Sequence, residues 1–285
     1  AVVIKPVLVE NHNTSEKEIF VQDLANKVYL INGTGRILWK QPVDGPIMGD
    51  VYQVDFYKNG KLQYLFNTAS KIHLIDRNGN YVERYPISLR SDATNALALF
   101  DYDKSRDYRL FIATEDRKVY LYDIEGNMIS GWRFGKTESM VSGKIQHFRV
   151  YDKDYIVVLD QNRAYFLDRR GRERIRLKER LVLSPGNPLT LDMNIREERP
   201  RWISTDTAGN VRAIYLDGTV TSLLTKDLSR EHFFSMEDLT RDGIPEYIFV
   251  DGNKLDIIKQ DGKRFFSYEV MEIISDRTEI YKFSA

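Results

Sequence analysis

The chain contains no cysteine. Disulfides, thiolate chemistry and cysteine-ligated zinc are therefore excluded together. It has no surplus charge of either sign: 42 basic and 42 acidic side chains cancel. That balance argues against a dedicated nucleic-acid binder, because phosphate contacts need a net positive face. No apolar run approaches the length of a membrane span. The first residues, Ala1 to Pro6, have neither the basic nor the long apolar region of a secretory signal. Sustained helical periodicity with caps is missing. So are the Gly-x-Ser-x-Gly, P-loop, dinucleotide and His-Glu-x-x-His motifs. What is abundant is Tyr, Phe, Val, Ile and Leu, a mixture that favours strands. The 285 residues are ample for one large all-β domain or two ordinary ones.

The chain repeats itself. Six segments close on a glycine: Lys27 to Gly35, Lys71 to Gly79, Lys118 to Gly126, Arg163 to Gly171, Val211 to Gly218 and Lys254 to Gly262. Successive glycine numbers differ by 44, 47, 45, 47 and 44. In the Asp-x-x-Gly version the carboxylate can accept backbone N–H groups while Gly takes positive φ. Asp217-Gly218 and Asp261-Gly262 suggest the two-residue, type I′ form. Before each turn lies a strand that is apolar on both faces, such as Tyr64 to Phe66 or Tyr247 to Phe249, as a strand sandwiched between sheets should be. A more polar strand follows each turn, and another precedes each central pair. Four strands in about 45 residues make a propeller blade. The expected fold is an all-β, single-domain β-propeller of four-stranded antiparallel blades. Its repeats run roughly 1–42, 43–90, 91–136, 137–182, 183–226 and 227–270, with a partial repeat or closing strand at 271–285. Residues 277–284 look like the first strand of a seventh blade continuing beyond Ala285, since an open propeller would leave an unpaired edge.

The run Lys27 to Lys40, with Trp39 after Gly35, resembles the repeat of quinoprotein-type (PQQ-like) β-propellers, where Gly-x-x-x-Trp closes each blade. Only Trp39 keeps that offset, so the resemblance is to the non-enzymatic branch, which drops the cofactor. That branch implies an exported interaction protein. A second resemblance lies at Asp238 to Glu246, which is similar to the FG-GAP calcium loop of integrin-like propellers. By that likeness Asp238, Thr240, Asp242 and Glu246, with the carbonyl of Ile244, would hold one calcium ion. The alternative is a loop in which these oxygens cap the turn. The same frame recurs at Asp55, Tyr57, Asn59 and Gln63, and at Asp101, Asp103, Ser105 and Arg109.

Two further groups are candidate binding residues. His147 and His232 stand near the start of innermost strands and, with Asn95, are expected at the mouth of the central channel. Arg172, Arg174, Arg176 and Lys178 alternate with Glu173, Ile175 and Leu177, which puts four cations on one strand face. That stripe either attracts an acidic partner or protects an outer edge from pairing. The function expected is a non-catalytic scaffold for protein or extracellular polysaccharide, binding through the loops that join one blade to the next. Those are residues 41–50, 87–94, 135–145, 180–188 and 222–231. The alternative is a glycan-active hydrolase or lyase whose carboxylates converge in the channel.

Overall fold

The computed structural model describes Val2 and residues 4–184, 186–193 and 199–272. The strand expected at 277–284 lies outside these residues. Within them the secondary structure is all strand, and no helix is long and apolar enough to cross a membrane.

The strands form six antiparallel sheets in chain order. Blade one contains β1 (Val7–Glu10), β2 (Lys17–Gln22), β3 (Lys27–Ile31) and β4 (Ile37–Pro42). Blade two contains β5 (Tyr52–Val54), β6 (Gln63–Asn67), β7 (Lys71–Ile75) and β8 (Ile87–Ser88). Blade three has β9 (Ala98–Phe100), β10 (Arg109–Ala113) and β11 (Val119–Asp123). Its outer strand is reduced to the isolated bridges Tyr122↔Met128 and Lys118↔Lys136. Blade four contains β12 (Gln146–Val150), β13 (Lys153–Leu159), β14 (Ala164–Leu167) and β15 (Glu173–Ile175). Blade five contains β16 (Thr190–Asp192), β17 (Arg201–Thr205), β18 (Val211–Tyr215) and β19 (Val220–Leu224). Blade six contains β20 (Phe233–Glu237), β21 (Glu246–Asp251), β22 (Lys254–Ile258) and β23 (Arg264–Glu269). The chain divides into two compact units, Ala1–Ile145 and Gln146–Ala285, with three blades starting in each.

The second strand of a blade is buried along its length, as in β6 and β17. Alternate residues face opposite neighbours, so one strand feeds two cores. In β6, Tyr64 and Phe66 pack with Phe20 and Leu30 of blade one, while Leu65 packs with Leu110 and Ile112 of blade three. In the second unit, Trp202 of β17 is fully buried against Tyr155 and Phe166 of blade four. On its other face, Ile203 meets Phe234 and Phe249 of blade six.

The six hairpins share one turn. Gly35 N–H donates to Asn32 O, and Asn32 N–H to Arg36 O; Gly218 and Gly262 repeat this with Tyr215 and Lys259. Positive φ falls on the glycine, and neither Asp217 nor Asp261 has it. The type I′ expectation is thus corrected, since that turn needs positive φ at both central residues. The glycine's left-handed step instead inserts a bulge, visible as register shifts in blades one, four, five and six.

Candidate functional site: a loop face held by side-chain amides

The connections between blades are fixed by side-chain carboxamides, buried at Gln22, Asn67, Asn95 and Asn187 and half-buried at Gln146. Gln22, at the end of β2, accepts from Ile47 N–H at 2.9 Å and donates to Gly45 O at 2.8 Å. Asn67, at the end of β6, accepts from Leu97 N–H at 2.8 Å. Asn95 accepts from Ala113 N–H at 2.9 Å and donates to Gly143 O at 3.0 Å. In the second unit, Gln146 clasps both backbone groups of Leu189, and Asn187 clasps Phe234 N–H and His232 O. A carboxamide carries a donor and an acceptor on one planar group, so it can pair with a backbone as another peptide would. These clasps satisfy backbone groups that would otherwise be buried without partners.

Two of the residues expected at the channel mouth therefore serve the fold. Asn95 and His232 are buried. The ring nitrogens of His232 meet Thr205 Oγ1 and Ser229 O, each at 2.7 Å. His147 is half-buried, with Nε2 2.7 Å from Asp154 Oδ1. The three residues are engaged with separate partners, most of them in other strands or loops, which no single-sequence reading places.

The cationic stripe is also redistributed. The strand expected across residues 172–178 is confined to β15, because the chain then leaves the sheet and Lys178 N–H donates to Gly218 O at 2.9 Å. All four cations remain exposed, yet three have local partners. Arg172 Nε bonds Asp168 Oδ2 at 2.7 Å, and Arg174 lies 5.4 Å from the Tyr155 ring centre. Lys178 Nζ reaches Thr219 Oγ1 at 2.8 Å and Asp217 Oδ2 at 3.4 Å. The Thr219 amide and hydroxyl, with Lys178, hold the Asp217 carboxyl down to about 2.

The loop likened to a calcium site is occupied by its own hydrogen bonds. Asp238 accepts from Asp242 N–H and Gly243 N–H at 3.1 and 3.0 Å. Asp242 accepts from Ile244 N–H, and Glu246 from Leu239 N–H and the Thr240 hydroxyl. Among the described residues no three acidic or histidine side chains are grouped to hold a metal ion. The donor set does not fit calcium in this arrangement. Blades two and three build the same loop: Asp55 accepts from Asn59 and Gly60, and Asp101 from Ser105 and Arg106. The two loops also exchange charges: Arg106 of blade three pairs with Asp55 of blade two, and Lys58 of blade two with Asp107 of blade three.

One concave feature among the described residues is a cleft of about 400 Å³ lined by Thr225, Lys226, Asp227 and Leu228 from the loop after β19, and Phe249, Asp251, Lys254 and Asp256 from the β21–β22 hairpin. Lys226 Nζ stands 3.3 Å from Asp256 Oδ2 and 5.3 Å from the Phe249 ring centre. Lys254 Nζ reaches the same oxygen at 3.4 Å. Burial alone would raise the Asp256 carboxyl. The Ser267 hydroxyl and the Lys226 and Lys254 charges outweigh it and hold the group below the usual range. Sequence reasoning named the 222–231 loop but missed Lys226 and Asp256, which are 30 residues apart.

No protein-family model matches the chain, and no curated protein matches it. Solved structures do. BBS1N in complex with ARL6DN, soaked with mercury, superposes with a TM-score of 0.60 at 10% identity, covering 96% of this chain and 83% of that one. The lead-soaked crystal gives 0.58 at 12% identity with the same coverage. BamB from Moraxella catarrhalis gives 0.56 at 12% identity, covering 94% of this chain and 76% of that one. At such identities the likeness concerns the fold alone, and the fold is a β-propeller of about six blades.

Proposed function

We propose that the chain is a non-catalytic docking scaffold for protein, and that it binds through the face formed by the inter-blade loops. The carboxamide clasps carry this reading. A loop whose backbone is already paired is preorganised, so a partner docks without the entropy cost of ordering it. The loop at 136–145 illustrates the arrangement: Thr137 and Val141 are buried, whereas Lys136, Glu138, Met140 and Ser142 face outward. The similar BBS1N structures hold a second protein, ARL6DN, which supports the reading by analogy of fold. A glycoside hydrolase needs a carboxyl group raised enough to donate a proton. Asp256 in the cleft is displaced the other way, as are Asp44, Asp116 and Asp168.

The test is comparative capture from the native source. A Glu138→Lys, Met140→Glu, Ser142→Lys variant should lose at least ten-fold of whatever protein the wild type retains, with its melting midpoint unchanged. Lys61→Glu, on a loop between β5 and β6, should retain that protein. Equal capture by the triple variant would remove this face from consideration.

A further inference from the structure

The turn glycines give the repeats a common frame. Six residues before each of them, on the third strand of the blade, stand Tyr29, His73, Tyr120, Tyr165, Arg212 and Asp256. Pairing registers set these opposite Val21, Phe66, Ile112, Val158, Ser204 and Phe249 of the second strands. The six side chains therefore leave their sheets at the same place.

In three blades that place is held by a phenol, which closes on an aspartate of the turn before its strand. Tyr29 donates its hydroxyl to Asp23 Oδ2 at 2.7 Å, Tyr120 to Asp116 Oδ2 at 2.9 Å and Tyr165 to Asp160 Oδ2 at 3.0 Å. In blade two the ring is His73, stacked on Phe66 and bonded to Asp44. Blade five uses a long side chain, since Arg212 reaches Glu179 at 2.7 Å.

Blade six keeps the acceptor but not the ring. Asp251 precedes Asp256 by five residues, as Asp160 precedes Tyr165. The shorter Asp256 turns to Ser267 Oγ at 2.7 Å and to the two lysines. Asp251 accepts instead from the Ser229 N–H at 2.9 Å and from the Ser229 hydroxyl. The cleft of about 400 Å³ opens here, beside Phe249, Asp251 and Asp256. Its size falls among small-ligand pockets, which run from roughly 300 to 1,000 Å³. Its walls suit a phenol: Phe249 and Leu228 offer apolar contact to a ring, and Lys226 and Lys254 offer cations to its π face. A carboxylate accepts about four hydrogen bonds, so Asp251 has capacity for a hydroxyl beyond its two from Ser229.

We propose that this cleft receives a tyrosine side chain of the protein that docks on the loop face, its hydroxyl donating to Asp251 as Tyr165 donates to Asp160. The assignment rests on the docking reading above, because Thr225 to Leu228 belong to one of the inter-blade loops. The test titrates N-acetyl-tyrosinamide into the protein and follows its NMR shifts. The wild type should bind this probe saturably, and N-acetyl-phenylalaninamide about five-fold more weakly, the worth of one hydrogen bond. Asp256→Tyr supplies the ring from within. It should weaken probe binding at least ten-fold, with a melting midpoint that holds or rises, and should lose the captured protein to the same degree. Should that variant fail to fold, Asp251→Asn keeps the shape of the cleft and should narrow the difference between the two probes. Absence of saturable binding, equal binding of both probes by the wild type, or an unchanged difference in Asp251→Asn overturns the phenol site. Capture that survives in Asp256→Tyr overturns the partner's use of it. Failure of the docking reading shows separately, in the variant at residues 138–142, which should bind the probe as the wild type does.

Discussion

Blade two and blade six are copies of one repeat placed in different company. Blade two is gripped on both sides: Tyr64 and Phe66 pack toward blade one, Leu65 and Leu74 toward blade three. Its first loop receives Arg106 from the next blade, and its buried His73 bonds Asp44 from the preceding loop at 2.7 Å. Blade six packs on blade five by one face, and its Asp238 bonds the amides of its own loop. The repeat supplies the sheet and the turns. Its neighbours supply much of the stability, as in a one-dimensional array where interfaces add to weak intrinsic units.

The largest effect that would sharpen this contrast is in the cores. Phe66 lies 5.7 Å from the Phe20 ring and is stacked on His73 at 5.0 Å. Phe66→Ala should cost about 3–5 kcal/mol in chemical denaturation, whereas Phe266→Ala should cost less than about 0.5 kcal/mol. Similar costs for both would break the comparison. Next come the loop aspartates. Asp55 is buried and accepts two amides and a guanidinium, so Asp55→Ala should lower stability by about 2 kcal/mol. Asp238→Ala should lose about 1 kcal/mol, the worth of its amide bonds. Calcium or a chelator should leave both midpoints in place, because a ligand of the folded state alone would raise them.

The smallest effect is a pH dependence centred on blade two. Burial lowers the His73 pKa, outweighing the raising effect of Asp44, and nearby Lys71 lowers it further. Tyr81 bonds its other nitrogen at 2.9 Å. A histidine kept neutral by the fold contributes fully above its unfolded pKa of about 6.5, and that contribution is lost as pH falls through the lower folded value. The melting midpoint should therefore drop below about pH 6.5, and His73→Asn should remove part of that drop. His12, lowered by its burial and by Arg77 and Lys61, accounts for another part. Phe266→Ala should keep the wild-type slope.

The blades could be counted in the sequence because their turns are local chemistry. Asn32, Asp76 and Asp168 each accept amides two and four residues on, so one hairpin announces itself without its neighbours. The inwardly doubled apolar strands were legible for the same reason. The roles of Asn95 and His232 were not, since Asn95 bonds Gly143, one repeat away, and His232 bonds Thr205 in the preceding blade. The strand expected at Arg172 to Lys178 was drawn too long because period two holds only while the chain stays in the sheet, and Lys178 has already left it for Gly218. Asp238 was identified as an important oxygen donor from its spacing. That its partners are amides emerges from the loop's closure on itself.

The carboxamide clasps also bear on how the molecule ages. Asn95 uses both halves of its side chain, accepting from Ala113 and donating to Gly143 O, and Asn187 does the same with Phe234 and His232. Hydrolysis of either amide to a carboxylate changes hardly any volume and keeps the acceptor. It turns the donor into an oxygen facing a carbonyl oxygen inside a buried site. One atom's exchange would unfasten a loop from its neighbouring blade, so burial of these two side chains protects the chemistry of the clasp as well as its geometry.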